Sequence, residues 1–249
     1  MSMKYGIVVV FLAAINFCFA PKTVFVSEPV AVVELFTAEG CSSCPAADEL
    51  LGEMSGILQK EGKRVISLAY HVTYWNHLGW NDPYSEEAYT DRQKLYQKTL
   101  KRPNLYTPQA VVNGKYEFVG SDPVSFRYLV QAALDSVPAR PLEANATKSD
   151  SVVTVQYSLS KLPKNSVLNV AVIEEHVEHA VSRGENKDKV LKHYHVVRSM
   201  KQHEAKEKDE ITLVWPRGLG ENKGSIILYL QNTKNLKIIS AAEIKLKAS

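Results

Sequence analysis

The chain has 249 residues, a formal net charge of +3, 45% hydrophobic residues and 23% charged residues. That balance is the balance of a globular chain, and it excludes a disordered or low-complexity protein. The small positive excess is dispersed rather than gathered into a basic patch, so no nucleic-acid partner is expected.

Lys4 followed by the apolar run Gly6–Ala20 reads as an export signal covering residues 1–20. The run falls short of the roughly 20 apolar residues that a membrane-spanning helix needs. A cut after Ala20 places a small residue before the cleavage point, although Pro21 beyond it is a poor context, and Phe17 argues against a lipoprotein-type cut before Cys18. The expected location is periplasmic or secreted, with no stable membrane span once the signal is removed; an uncleaved tether is the alternative. The roughly 225 residues beyond the signal suit two units of roughly 100 residues each. Removal of the signal leaves Cys41 and Cys44 as the cysteines. A pair three residues apart cannot staple a fold of this size, so it serves redox chemistry, metal binding or a local disulfide.

The first unit, 24–138, alternates strand and helix. Ala31–Phe36 reads as a buried strand, and Pro45–Glu61 carries Leu50, Leu51, Met54, Ile57 and Leu58 at helical spacing. Val65–Val72 is a second strand and Ser85–Lys101 a charged, surface-lying helix. Pro108–Val112 is a third strand, turned by Asn113-Gly114 into Tyr116–Val119. Ser121-Asp122-Pro123 opens a last helix with Phe126, Leu129, Val130, Ala133 and Leu134 on one face.

Between the first strand and the first helix lies Cys41-Ser42-Ser43-Cys44. A thiol at a helix N-terminus faces unpaired backbone N–H groups and the positive end of the helix dipole, which stabilise the thiolate. The thiolate attacks disulfides, and a second thiol one turn away releases the mixed disulfide. Cys41 is expected to be the exposed nucleophile and Cys44 the resolving thiol. The element order and the CxxC together give the order of a thioredoxin-like α/β core. In such folds the position of Thr107-Pro108 is that of a cis proline opposite the CxxC, where the preceding backbone pairs with a substrate chain. The alternative is a proline merely tolerated at the start of a strand. Glu34 lies in an otherwise apolar strand seven residues before Cys41. It is a candidate proton relay to the second thiol, the alternative being a carboxylate that reaches solvent or a cation.

The stretch from Ala69 to Tyr84 packs aromatic rings and the histidines His71 and His77 at and beyond the end of the second strand. That edge is where the sites of open α/β sheets gather. His71, Tyr74 and Trp75 are the candidates for a substrate wall beside the sulfurs, the alternatives being core packing for the rings and a structural role for His71.

The run Val33-Glu34-Leu35-Phe36-Thr37-Ala38-Glu39-Gly40-Cys41-Ser42-Ser43-Cys44-Pro45-Ala46-Ala47-Asp48 resembles the signature of a bacterial family of exported thioredoxin-like proteins of unknown function. His71-Val72, Tyr74-Trp75, Gly79-Trp80, Arg92-Gln93, Tyr106-Thr107-Pro108-Gln109 and Arg183-Gly184-Glu185-Asn186 are similar to its later blocks. Where that family often has an acid, this chain has Thr73. The resemblance implies a fold and a redox role, and no substrate.

The second unit, 139–249, is a run of short alternating segments separated by Pro, Asn, Gly and Lys clusters, which suggests a β-rich, sandwich-like domain. The mixed-charge run Lys201–Glu210 reads as a solvated loop. His176, His179, His193 and His195 are either histidines of exposed strand faces or partners in a metal site. Arg183 and Glu185 are expected to pin a loop or face the first unit. The leading functional expectation is an exported thiol–disulfide oxidoreductase acting on a partner protein, without cofactor. The alternatives are a non-catalytic binding module with a structural disulfide, and a Cu(I) or Zn(II) carrier using the thiolates.

Overall fold

A computed structural model describes residues 22–26, 28–136 and 141–246. The expected signal of residues 1–20 and the junction at 138/139 lie outside the described residues. The described residues begin with strand β1 (Lys22–Val26) and strand β2 (Ala31–Thr37). Helix α1 (Cys44–Lys60), strand β3 (Val65–His71) and a 3-10 helix at Thr73–Leu78 follow. Helix α2 (Glu87–Thr99), strands β4 (Gln109–Val112) and β5 (Tyr116–Val119) and helix α3 (Pro123–Ser136) complete the first half. The second half runs through β6 (Leu142–Ser149), β7 (Val152–Leu159), β8 (Ser166–Ala180) and β9 (Val190–Glu204). It ends with β10 (Lys208–Val214), β11 (Gly224–Asn232) and β12 (Ile238–Lys245).

These strands form two sheets. The larger has eight strands in the order β12-β11-β8-β9-β3-β2-β4-β5, and the smaller has four in the order β1-β6-β7-β10. β2 and β3 are parallel, aligned from Ala31↔Val65 to Thr37↔His71, and β3 meets β9 in parallel at Ala69↔Val196. The two halves therefore share one sheet. β1 pairs with β6, so residues 24–26, assigned by pattern to the first unit, belong to the four-stranded sheet. The run Lys201–Glu210 is also not a loop throughout. It ends β9, turns, and begins β10, whose Asp209 holds His203 at 2.9 Å and Lys206 at 2.8 Å.

Strand alternation sorts the core. Val33 and Leu35 face α1 and α3 with Ala47, Leu51, Leu58, Phe126 and Val130. Val32, Phe36 and Tyr70 face Tyr89 and Tyr96 of α2. β8 and β11 are covered on both faces. Leu168, Val170, Val172, Ile226 and Leu228 pack against the four-stranded sheet, while Ala171, Ile173, Ile227 and Tyr229 join the α2 side. Two-sided burial explains their unbroken apolar runs.

Candidate functional site around the Cys41–Cys44 disulfide

β2 ends at Thr37 and α1 starts at Cys44, and the six residues between them fold as successive turns. Cys41 N–H donates to Ala38 O and Cys44 N–H to Cys41 O, each at 3.2 Å. This winding brings the two Cα atoms to 5.4 Å, and the cysteines form a disulfide. Their surroundings differ. Ser43 Oγ lies 3.4 Å from Cys41 Sγ, whereas Cys44 sits within the helix. The expectation that Cys41 is exposed is corrected: both cysteines are fully buried, although Ser42 and Ser43 between them are exposed.

Burial comes from two directions. On one side is Trp75, because a Cβ on Gly40 would lie 3.1 Å from Trp75 Cβ. On the other is the tight turn between β8 and β9, which carries Arg183-Gly184-Glu185-Asn186. Asn186 Nδ2 donates to the carbonyls of Glu39 and Cys41, both at 2.9 Å, and Ser42 N–H donates to Glu185 Oε2 at 3.0 Å. Gly184 has φ +78°, and a Cβ there would lie 3.6 Å from Trp80 Cβ and 3.9 Å from Gly40 Cα. A glycine thus suits the left-handed backbone, while the space around it would admit a Cβ in ordinary contact.

Trp75 also reaches the other predicted element of the site. Its Nε1–H donates to Thr107 Oγ1 at 2.8 Å, and the Thr107–Pro108 peptide is cis. Pro108 meets α1 around Gly120, where an added Cβ would lie 2.6 Å from Leu35 Cδ1, 3.3 Å from Ala47 Cβ and 3.4 Å from Pro108 Cβ. Tyr74 and Trp75 pack, partly buried, on the cluster that contains both cysteines. The structure therefore gathers Cys41, Cys44, Tyr74, Trp75 and Thr107, with Pro108 beside the first turn of α1.

His71 and Glu34 are placed otherwise. His71 is fully buried and cannot line a substrate surface; its Nδ1 lies 2.7 Å from Asp82 Oδ2. Its Nε2 is buried without a hydrogen-bond partner. Glu34 is held by α2, with Arg92 Nε donating to Oε1 at 2.6 Å and Tyr96 hydroxyl donating to Oε2. β2 alternation turns Glu34 to the α2 face, with Phe36 and away from Leu35 and α1. The cation reading is the one realised, and Glu34 is a structural anchor. Arg92 extends that anchor across the halves, donating to Gln231 Oε1 on β11 at 3.1 Å and lying over the rings of Tyr70, Tyr96 and Tyr229.

A polar network that sequence reasoning missed lies beneath the CxxC. Asp48, one helical turn beyond Cys44, accepts from Thr37 Oγ1 at 3.2 Å and faces His193 Nδ1 at 3.1 Å through the same Oδ2. His193 Nε2 lies 3.3 Å from Glu39 Oε1, and His179 Nδ1 lies 2.7 Å from that same oxygen. Trp80 Nε1–H donates to Glu39 Oε2 at 2.7 Å. Burial alone would push the His193 imidazolium down, but hydrogen bonds and charge from Asp48 and Glu39 outweigh it and lift its pKa to about 10. Burial also works against the Asp82 carboxylate, yet His71 and the amides of Glu39 and Tyr84 hold it below the usual carboxylate range. One signal for the network was present: Asp48 is an acid on the buried stripe of α1, beside Ala47 and Leu51.

The four histidines of the second half do not converge. His193 and His179 meet through Glu39, His176 packs tilted against Tyr194 with ring centroids 4.8 Å apart, and His195 sits at a backbone irregularity with φ +55°. Among the described residues no group of three or more His, Cys, Asp or Glu is arranged to hold a metal ion. No helix among the described residues is long and apolar enough to cross a membrane.

The crystal structure of an Agrobacterium tumefaciens protein, solved as a structural-genomics target, is 28% identical and superposes with a TM-score of 0.64, covering 89% of this chain and 97% of that one. The crystal structure of a domain of the outer membrane lipoprotein Omp28 from Porphyromonas gingivalis covers 46% of this chain and 94% of its own at 13% identity. Its TM-score is 0.28. No curated protein matches the chain. The family described as "Protein of unknown function (DUF1223)" matches residues 32–239, and with five-sixths of its length inside that match the chain belongs to this family.

Proposed function

We propose that this protein is an exported thiol–disulfide exchange protein with a thioredoxin-like first half. In this reading a reduced Cys41 thiolate attacks a partner's disulfide, forming a mixed disulfide and expelling one partner thiolate. Cys44 then gives up its proton and attacks Cys41 Sγ, which expels the second partner thiolate and closes the Cys41–Cys44 bond. Two electrons pass to the partner.

The observation that carries the reading is the unequal setting of the pair. Cys41 has the Ser43 hydroxyl within reach as a donor for a thiolate, and the Ser42 amide beside it becomes a second once Glu185 releases it. Cys44 lies within α1 in apolar surroundings, with Asp48 on the same helix face four residues on. Asp48 Oδ1 is buried and has no hydrogen-bond partner while the disulfide is closed. Opening the bond supplies a thiol donor one turn away, so Asp48 is the acceptor assigned to the Cys44 proton. The strand and helix order of the first half, and Trp75 bonded to Thr107, support the same reading. The apolar N-terminal segment supports export.

A second reading, a binding module whose disulfide is a permanent clasp, draws on the full burial of both sulfurs. Trapping separates the two. Expressed with its N-terminal segment, Cys44→Ala should accumulate covalent complexes through Cys41, because attack survives while the intramolecular exit is lost. Cys41→Ala should trap far less. A clasp traps nothing in either variant.

A further inference from the structure

We infer that the turn Val181–Lys189 is a latch that closes over the CxxC and must lift before the disulfide can exchange. The inference rests on the exchange reading for its purpose, though not for its geometry. Cys41 and Cys44 are fully buried while the dipeptide between them is exposed, so the cover is local. On the strap's side it is attached to the site by three hydrogen bonds: Ser42 N–H to Glu185, and Asn186 to the carbonyls of Glu39 and Cys41.

The turn is built to move as a piece. Its internal bonds close it on itself: Val181 N–H to Lys189 O at 2.9 Å, Asp188 N–H to Val181 O at 2.8 Å, and Lys187 N–H to Gly184 O at 3.2 Å. Lys189 Nζ holds Asn186 Oδ1 at 3.0 Å, so the amide that clasps the site keeps its orientation from within the turn. Lifting the strap breaks the three bonds to the site and none of these. The two anchors differ in kind. Asn186 is fully buried, whereas Glu185 is exposed and its bond competes with water.

Closure and chemistry are opposed at one atom. Glu185 takes the Ser42 N–H, a donor that an adjacent Cys41 thiolate would draw on. It also sets a carboxylate beside the position where that negative charge would form. Lifting the latch uncovers Cys41, frees the amide and withdraws the like charge in a single movement.

The test is the rate at which tris(2-carboxyethyl)phosphine opens the disulfide in the intact protein at pH 7, read by quench alkylation and mass. The phosphine attacks a sulfur, is oxidised to its oxide with oxygen from water, and leaves two thiols, so no partner protein is involved. If opening of the strap limits the rate, Glu185→Ala should react about threefold faster and Asn186→Ala about tenfold faster than the parent, and Lys187→Ala at the parent rate. Glu185→Ala and Asn186→Ala both reacting at the parent rate would overturn the latch, and so would equal acceleration by Lys187→Ala. Should Asn186→Ala fail to fold, the exposed Glu185→Ala decides alone. Faster opening combined with no trapped complexes in Cys44→Ala would leave the latch standing and remove the exchange reading.

Discussion

His193 Nδ1 lies 3.1 Å from Asp48 Oδ2 while its Nε2 lies 3.3 Å from Glu39 Oε1, so one imidazole joins α1 to the turn that leads into Cys41. The ring is fully buried and packs edge-on against His71 and Tyr84, with centroids at 4.9 Å and 5.8 Å. An imidazolium between two carboxylates satisfies both of its N–H donors.

This arrangement sets a pH dependence. The pKa of His193 rises from 6.5 to about 10 on folding, so its contribution is complete below pH 6.5 and is lost as pH climbs toward 10. Urea denaturation between pH 6.5 and about 9, below the range in which unfolded tyrosines ionise, should show stability falling by an amount on the order of 3 kcal/mol. Tyr84, which faces the same ring, is raised to about 12 and does not titrate in this window. His193→Gln should be less stable at pH 6.5 and nearly flat across the range; an equally steep fall in that variant would contradict the assignment.

The Glu34–Arg92 pair should matter for stability and not for redox chemistry. Replacing one member strands a buried charge, so Glu34→Gln and Arg92→Ala should each cost about 3–5 kcal/mol in denaturant titrations. Glu34→Gln introduced beside Cys44→Ala should trap as much partner as Cys44→Ala alone. A loss of trapping in protein that is still folded would restore a proton role for Glu34.

At the α1–β9 contact, Gly52 has no room for a side chain, since an added Cβ would lie 2.5–2.8 Å from three atoms of the Tyr194 ring. Alanine ordinarily favours a helix over glycine by about 1 kcal/mol, yet here overpacking should dominate. Gly52→Ala is expected to lower stability by about 1–3 kcal/mol in urea titrations. Adding Tyr194→Ala should recover part of that loss, whereas a Gly52→Ala variant more stable than the parent would show that the ring moves aside freely.

The elements that carry their own periodicity were legible in the sequence. Leu51, Met54 and Leu58 placed α1, and Asn113-Gly114 placed the β4–β5 turn. β6 gave little signal, because its buried positions Leu142, Ala144 and Ala146 include two small side chains and no β-branched one. What joins the halves could not be read locally. The β3–β9 contact rests on Ala69 and Val196, Glu34 meets Arg92 58 residues on, and Asp48 meets His193 145 residues on. The cover over the CxxC has the same origin. Cys41 reads as exposed from its place before a helix, and Trp75 together with the turn at Glu185 and Asn186, more than 140 residues away, covers it.

Whether the Cys41–Cys44 bond is an exchanging disulfide or a clasp is decided most directly by an equilibrium redox titration. The intact protein would be held in dithiothreitol buffers of graded potential until equilibrium, and its thiols counted by alkylation. Exchange predicts a reversible two-electron transition with a midpoint between about −270 mV and about −120 mV. A pair that stays oxidised in buffers poised below about −300 mV would contradict it and leave Cys41–Cys44 as a structural disulfide.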